Sequence, residues 1–429
     1  MKNYISIGFL LAIFINLNAQ NNESFVQIES GDFNTASIMQ LGDSNYSEVS
    51  IEDADTNSVT VMQSVYSNSS EIDINTDSDF NSIFVTQSGS MNESDVLVQE
   101  QASSNSINIH QKGMENYSTL SIGEQTDNRS FFESDKPNTN NSIHIMQRGS
   151  GNASVIDMWN DELGVPGVNR NSVKVFQKGT DNMVATSSFG SGTEIAAIRI
   201  MDGSDDNDID VYQRGNGNKF GTNVFYVGNS SDQNSFYSYQ RGNNNEMYDW
   251  DIFPNSNRNS ISVSQIGNDN YIDGTTSESS DNSITLVQRG DDNSYLMAVT
   301  SSDYNTTRAR QRGDLNEITL NLSSSDGNLA RIVQVGNENS DETTFISSND
   351  NTLKTAQRGN ENSTESSLLD SDDNHIRTIQ LGNNHESSVS LLGSDLNTIT
   401  TLQMGLGHSS TITLNAASSN TVTVMQGGL

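Results

Sequence analysis

The chain has no cysteine, three prolines, two tryptophans and 21 basic residues against 55 acidic ones. Without cysteine there is no disulfide framework, no lipid-anchoring thiol and no thiolate metal ligand. A formal charge of −34 leaves little basic surface for phosphate contacts, which argues against a nucleic-acid partner. Hydrophobic residues make up only 32% of the chain, a level that by itself would suggest disorder. Beyond the first twenty residues no apolar run approaches the roughly 20 residues of a membrane-spanning helix. Those first twenty stand apart: Lys2, an apolar run from Ile5 to Leu17, then Asn18-Ala19-Gln20. Residues 1–19 read as a secretory signal peptide cut near Ala19, because the run is short for a span and ends at a small residue. An exported chain without disulfides must be held together by other means.

What the chain has is repetition. An asparagine followed six residues later by a glutamine occurs sixteen times: Asn34 with Gln40, Asn57 with Gln63, Asn81 with Gln87, Asn105 with Gln111, Asn141 with Gln147, Asn171 with Gln177, Asn207 with Gln213, Asn234 with Gln240, Asn259 with Gln265, Asn282 with Gln288, Asn305 with Gln311, Asn328 with Gln334, Asn351 with Gln357, Asn374 with Gln380, Asn397 with Gln403 and Asn420 with Gln426. From Gln265 onward the spacing is 23 residues seven times running, and glycine follows the glutamine by two positions in every copy except the one with Val65. Disordered low-complexity sequence is not expected to keep such a register. A fixed period of this size points to a solenoid, in which each unit contacts only its neighbours.

Around Gln288, the residues Asn282, Ile284 and Leu286 share a face with the glutamine, the period-2 signature of a strand. After Gly290 and a second asparagine, Asn293, comes another alternating run, like Ile318, Leu320 and Leu322 in the following copy. Glycine can take positive φ, and asparagine tolerates left-handed geometry or bonds to the backbone, so Gly290 and Asn293 are expected to form the turn. A second polar arc, such as Ser301-Ser302-Asp303, closes the unit. The fold class expected is all-β: a β-solenoid with two strands per rung, stacked as parallel in-register cross-β. At about 4.8 Å per rung, sixteen rungs would extend about 75 Å.

Stacking places identical side chains above one another. A buried amide without partners costs roughly 1 to 3 kcal/mol. In a ladder each amide can donate to one copy and accept from the other, so the sixteen Asn–Gln pairs are expected to be inward amide ladders that fix register. Longer spacings lie between about residues 123 and 259, and these insertions, holding Pro137, Pro166, Pro254, Trp159 and Trp250, are expected to bulge out as loops at the arcs. At the ends, Asn22, Ser24, Val26 and Ile28 match a second strand whose first is missing (half rung 22–33). Asn420, Val422, Val424 and Gln426 form a first strand whose second is missing (half rung 420–429). Both are expected to act as polymerisation ends, completing a shared layer with the next subunit.

The remaining residues point away from chemistry. Lys112, Arg148, Lys178, Arg214, Arg241, Arg289, Arg312 and Arg358 follow the glutamines directly. Acids such as Asp291, Asp314 and Glu361 lie close in sequence, so these cations read as relieving repulsion rather than as a stripe for an anionic polymer. The aspartates of the arcs wander in position, unlike those of calcium-binding β-rolls. His385 and His408 take the place of an arc asparagine, and the five histidines do not cluster. Neither a catalytic constellation nor a cofactor or metal site is expected.

The unit Asn, five residues, Gln, x, Gly, two residues, Asn resembles the curlin repeat of curli subunits, seen for example in Asn141, Gln147, Gly149 and Asn152, or in Asn207, Gln213, Gly215 and Asn218. The resemblance spans residues 20–429 as a single curlin-repeat solenoid. Two departures stand out. The family's second glutamine is replaced by Ile51, Ile74, Val98, Val299, Leu322, Phe345, Leu391 or Leu414, and the family's Gly-rich export tag is missing. The resemblance implies a secreted bacterial protein forming extracellular, cell-surface functional amyloid fibres for adhesion and biofilm matrix. It further implies self-polymerisation and, as partners, a curli-type nucleator and an outer-membrane secretion pore. The alternative reading is a monomeric secreted solenoid serving as a binding module or adhesin; it predicts capped ends and a clustered site.

Overall fold

A computed structural model describes residues 21–99, 101–123, 138–159, 168–184, 198–201, 203–222, 225–228, 230–252 and 254–428. The expected signal peptide, and Pro137 and Pro166, lie outside these residues. The described residues are strands and turns without a helix, and the parallel in-register strands form a β-solenoid of about 16 turns. Two compact units are distinguished, Met1–Ser231 and Asp232–Leu429.

In the first unit one sheet carries the glutamines. Thr35–Asp43, Ser58–Tyr66, Ser82–Ser90, Ser106–Met114, Ser142–Ser150, Ser172–Thr180 and Asp208–Asn216 pair in sequence order, so that Gln40 lies beside Gln63 and so on to Gln213. The facing sheet runs from Glu23–Glu29 through Tyr46–Glu52, Ser69–Ile74, Glu93–Val98 and Tyr117–Ile122 to Ala153–Trp159. The second unit repeats the plan. Its glutamine sheet runs from Ser235–Asn243 to Thr421–Gly427, and its facing sheet from Glu246–Ile252 to Ser409–Asn415.

Alternation explains the packing. In the rung of Gln288, Ile284 and Leu286 point inward from one strand and Tyr295, Met297 and Val299 from the other, all buried. Fully burying side chains of this size contributes roughly 1.5 to 3 kcal/mol each. The positions where the curlin pattern has its second glutamine are core: Ile51, Ile74, Val98, Val299, Leu322, Phe345 and Leu391 are buried, and Leu414, on an edge strand, is half-buried. Because side chains alternate with period 2, a slip of one residue would turn all of these to solvent.

Two insertions behave differently from the expectation that extra residues leave at the arcs. Met183–Val184 and Ile198–Met201 both pair with Ala153–Trp159, so residues 185–197 fall between two halves of one strand. Lys219–Phe220 and Phe225–Val227 repeat that split in the next rung. The ladder constrains only the residues that pair and point inward, and these stay in register on both sides of the break. Trp250 is also no loop residue. It sits fully buried in Glu246–Ile252, after a register shift beside Met247, and meets the Phe236 ring edge-on at 5.4 Å between centroids. Gly274 in the next rung makes room, since a Cβ there would lie 2.7 Å from the indole.

The turns owe less to asparagine than expected. Left-handed geometry falls on the residue before each ladder asparagine, as at Asp292 (φ 54°), Tyr304 (φ 57°) and Leu315 (φ 56°). Asparagine itself stays extended and turns its amide inward. The glycine two residues after the glutamine is needed twice over: at Gly290 φ is +124°, and a Cβ would lie 2.2 Å from the carbonyl oxygen of Gly313 in the adjacent rung. The one exception, Val65, holds a β-branched side chain at φ 88°, a conformation costing on the order of 1 to 3 kcal/mol. Val65→Gly should therefore raise the unfolding free energy by about 1 kcal/mol or more, whereas Gly290→Ala should lower it by at least as much. Denaturant unfolding of the two variants beside the parent checks both signs.

Candidate functional site

The interior of each unit is held by amide ladders of opposite sense. Gln288 Nε2 donates to Gln311 Oε1 in the next rung at 3.0 Å, and also to the carbonyls of Asn293 and Tyr271 at 3.1 Å. The same link, always from the earlier glutamine to the later, runs from Gln40 to Gln213 in the first unit and from Gln240 to Gln426 in the second. The asparagines run the other way. Asn282 donates through its backbone N–H (3.0 Å) and through Nδ2 (3.1 Å) to Oδ1 of the preceding Asn259, while Nδ2 also reaches the Ser302 carbonyl at 2.7 Å. Asn34 to Asn207 and Asn234 to Asn420 follow this scheme, with the backbone N–H alone reaching the preceding amide at Asn305 and Asn328. Amide nitrogen and oxygen are both used, which removes the penalty of burying them.

Two further ladders were not expected. The second asparagine, expected as a turn former, is a buried ladder member as well: Asn293 donates to Asn270 Oδ1 and Asn316 to Asn293 Oδ1, both at 2.9 Å. At His385 and His408 that ladder continues as stacked imidazoles 5.3 Å apart, with the His408 N–H on His385 Nδ1. Burial holds the His385 pKa below the ordinary histidine value, keeping Nδ1 free to accept. In the other arc, Ser302, Ser325, Ser348, Ser371 and Ser394 are buried. Each hydroxyl accepts the backbone N–H of its counterpart in the next rung, as Ser325 to Ser302 at 3.0 Å. The sequence signal was a serine three positions before Asn305, Asn328, Asn351, Asn374 and Asn397, hidden in serine-rich arcs.

One core position is out of pattern. Where other rungs have serine, threonine or an apolar residue, such as Ser387 or Ile318, the facing sheet places Asp341, buried, with Oδ1 accepting from Thr343 at 2.8 Å and Oδ2 without a partner. Burial pushes its pKa up to about 7. Burial, together with the nearby acids Asp249 and Asp273, does the same to Asp251.

Among the described residues the ladders end at open edges: Glu23–Glu29 and Thr35–Asp43 pair on one side only, as do Ser409–Asn415 and Thr421–Gly427. The proposed polymerisation residues lie on these edges. Val26, Val422, Val424 and Gln426 are half-buried, and Ser24, Ile28 and Asn420 exposed, although their counterparts one rung inward are buried. Asn22 donates Nδ2 to the Gly42 carbonyl at 3.0 Å. Gln426 Nε2 still donates to the Ser409 carbonyl, and Asn420 still donates to Asn397, but Asn420 Oδ1 and Gln40 Oε1 have no donor among the described residues. One edge thus offers a spare glutamine acceptor and the other a spare asparagine acceptor.

The outer faces carry charge in columns. On the glutamine sheet of the second unit, Arg308, Arg331, Lys354 and Arg377 stand side by side in four consecutive rungs, with Arg289, Arg310, Arg312 and Arg358 on the same face. Unit charges about 4.8 Å apart repel by roughly 0.9 kcal/mol in water. Asp291 and Asp314, whose repulsion Arg289 and Arg312 were expected to relieve, do not pair with them: Asp291 Oδ1 accepts the Asn268 N–H and Asp314 Oδ1 the Asp291 N–H, at 2.7 and 2.9 Å. Ion pairs form instead at Arg170, Lys174 and Arg258. An arc carboxylate is drawn to the backbone N–H of the adjacent rung, which lies closer than a side chain on the sheet face. Among the described residues no group of three or more His, Asp or Glu is placed to hold a metal ion. No protein-family model matches the chain, and no curated protein matches it.

Two outcomes follow. Gln311→Leu removes the acceptor of Gln288 and the donor to Gln334 Oε1 and the Ser294 carbonyl, and should cost about 1 to 3 kcal/mol. The edge substitution Gln426→Leu should cost less, and urea unfolding compares them. Asp341 is protonated in both states at acid pH; as pH rises from the ordinary value of 3.8 through about 7, the unfolded chain releases the proton first, and stability is lost. Asp341→Ser removes that loss, so its advantage over the parent should grow from little at pH 4 to about 4 kcal/mol above pH 7. Unfolding curves taken across this range test the sign and the window.

Proposed function

We propose that this chain is a structural subunit of curli-like extracellular amyloid fibres, exported to the cell surface and polymerising head to tail to form adhesive, biofilm-supporting matrix. The observation that carries the reading is the pair of open edges, each displaying the apolar and amide set of an interior rung. An unpaired edge of this kind is a template for another strand, and soluble proteins ordinarily blunt it with charge, proline or a covering segment. Here the inward positions of the edge strands stay apolar or amide: Ala36, Ile38 and Gln40 at one edge, Val422, Val424 and Gln426 at the other.

The opposed sense of the ladders supports head-to-tail growth in particular. Gln426 Nε2 points its donor direction along the chain, as Gln403 does toward Gln426, and Gln40 Oε1 is a matching acceptor. Asn420 Oδ1 accepts in the direction from which Asn34 would donate, as Asn397 Oδ1 accepts from Asn420. Joining two like edges would face donor with donor and would break the parallel register. The role is structural rather than catalytic, and the curli-type nucleator and outer-membrane pore are partners implied by the curlin-like repeat alone.

Val422→Lys/Val424→Lys puts charge on the inward face of one edge while leaving the other intact. The purified mature variant should keep its β-sheet circular dichroism, stay monomeric where the parent grows fibres in electron micrographs, and stop parent growth at substoichiometric ratios by capping. Elongation of the variant at the parent's rate would overturn edge addition, and a parent that stays monomeric under assembling conditions would favour the binding-module reading.

A further inference from the structure

The cation column of the second unit has a counterpart in the first. On the facing sheet of that unit Glu48, Glu71 and Asp95 stand in register in three consecutive rungs, and Glu29 pairs with Glu52 four residues along the same strands. The strands Glu23–Glu29, Tyr46–Glu52, Ser69–Ile74 and Glu93–Val98 contain no lysine or arginine. Conversely, the five strands from Ser283–Arg289 to His375–Asn383 contain no aspartate or glutamate. In a chain of net charge −34, a sheet face of one sign over five rungs is a segregation of charge, not an average of it.

We propose that the cationic face of Arg308, Arg331, Lys354 and Arg377 docks on the anionic face of Glu48, Glu71 and Asp95 of a second copy of this chain, so that assembled subunits associate side by side. Both columns run perpendicular to their strands, and both repeat at the rung spacing of a parallel sheet, about 4.8 Å. One register therefore brings several opposite charges together at once. On each face further charges lie four residues from the first column: Arg312 and Arg358, with Val335 in the rung between them, on the cationic face, and the paired Glu29 and Glu52 on the anionic one. That separation, roughly 13 Å along a strand, is the same on both. Like charges stacked in each column repel one another, and an opposing column relieves both. A second copy is favoured over a foreign polyanion because this chain carries the complementary column at the matching repeat.

Ionic strength enters with two signs. At about 0.01 M salt the screening length is roughly 30 Å and the net negative charge of two copies drives them apart; at about 0.15 M it is roughly 8 Å and only the local columns interact; at about 1 M these too are screened. Side-by-side association should pass through a maximum near the middle value.

This inference is separate from end-to-end growth and is tested on full-length mature chains by charge reversal. One variant carries Arg308→Glu, Arg331→Glu, Lys354→Glu and Arg377→Glu; the other carries Glu48→Lys, Glu71→Lys and Asp95→Lys. Each alone should form single fibres in place of the parent's bundles, with unchanged elongation, and mixing the two should restore lateral pairing, since each then supplies the face the other lacks. If the parent forms no fibres, the end-to-end reading fails, and sedimentation velocity of the soluble variants, alone and mixed, reads the pairing directly. Parent-like association by either variant alone overturns the inference. So does a mixture that stays unpaired, including one in which the cationic face retains only an added acidic polysaccharide.

Discussion

One constraint underlies the fold: an inward amide has to find a matching partner in the rung above or below, as Gln288 does in Gln311 and Asn282 in Asn259. Rungs spaced by the hydrogen-bond distance of a parallel sheet bring each side chain to its own copy, and an amide is the side chain that both donates and accepts. The glutamine and asparagine ladders are therefore one solution repeated, and they run in opposite senses within each unit. Serine hydroxyls and, at two rungs, stacked imidazoles solve the same problem in the arcs.

That constraint also governs what the chain tolerates. A strand can be interrupted in sequence so long as both halves keep their register, as Met183–Val184 and Ile198–Met201 do. A tryptophan can occupy a core position when the next rung supplies Gly274. A buried carboxyl such as Asp341 is accommodated by keeping its proton, at the expense of stability toward neutral pH. Each departure stays local, as expected where stability is a sum of nearest-neighbour terms.

Outer faces are free of the constraint, and there charge can be arranged for other ends. The separation of cationic and anionic columns onto different units and different sheets would cost nothing in the core. Each unit thereby carries one sheet face with a column of a single sign, while the open edges give the ladders a direction.

Much of this was legible in the residues alone. Periodicity of two within a period of 23 determines an all-β solenoid, because only stacked strands keep Asn282, Ile284, Leu286 and Gln288 on one face and return them to the same place in the next copy. The inward amides followed from that register. The direction of each ladder did not, since one string of letters is compatible with either sense of donation; the position of the backbone N–H beside each asparagine decides it. The fate of Trp250 depended on Gly274, a residue 24 positions away, and the basic column escaped notice because Arg308, Arg331, Lys354 and Arg377 become neighbours only when rungs are stacked. The repeat, its faces and its register are written in the order of the residues. Which way the hydrogen bonds run and which surface charges stand together are settled by folding, because both depend on contacts between residues one rung apart.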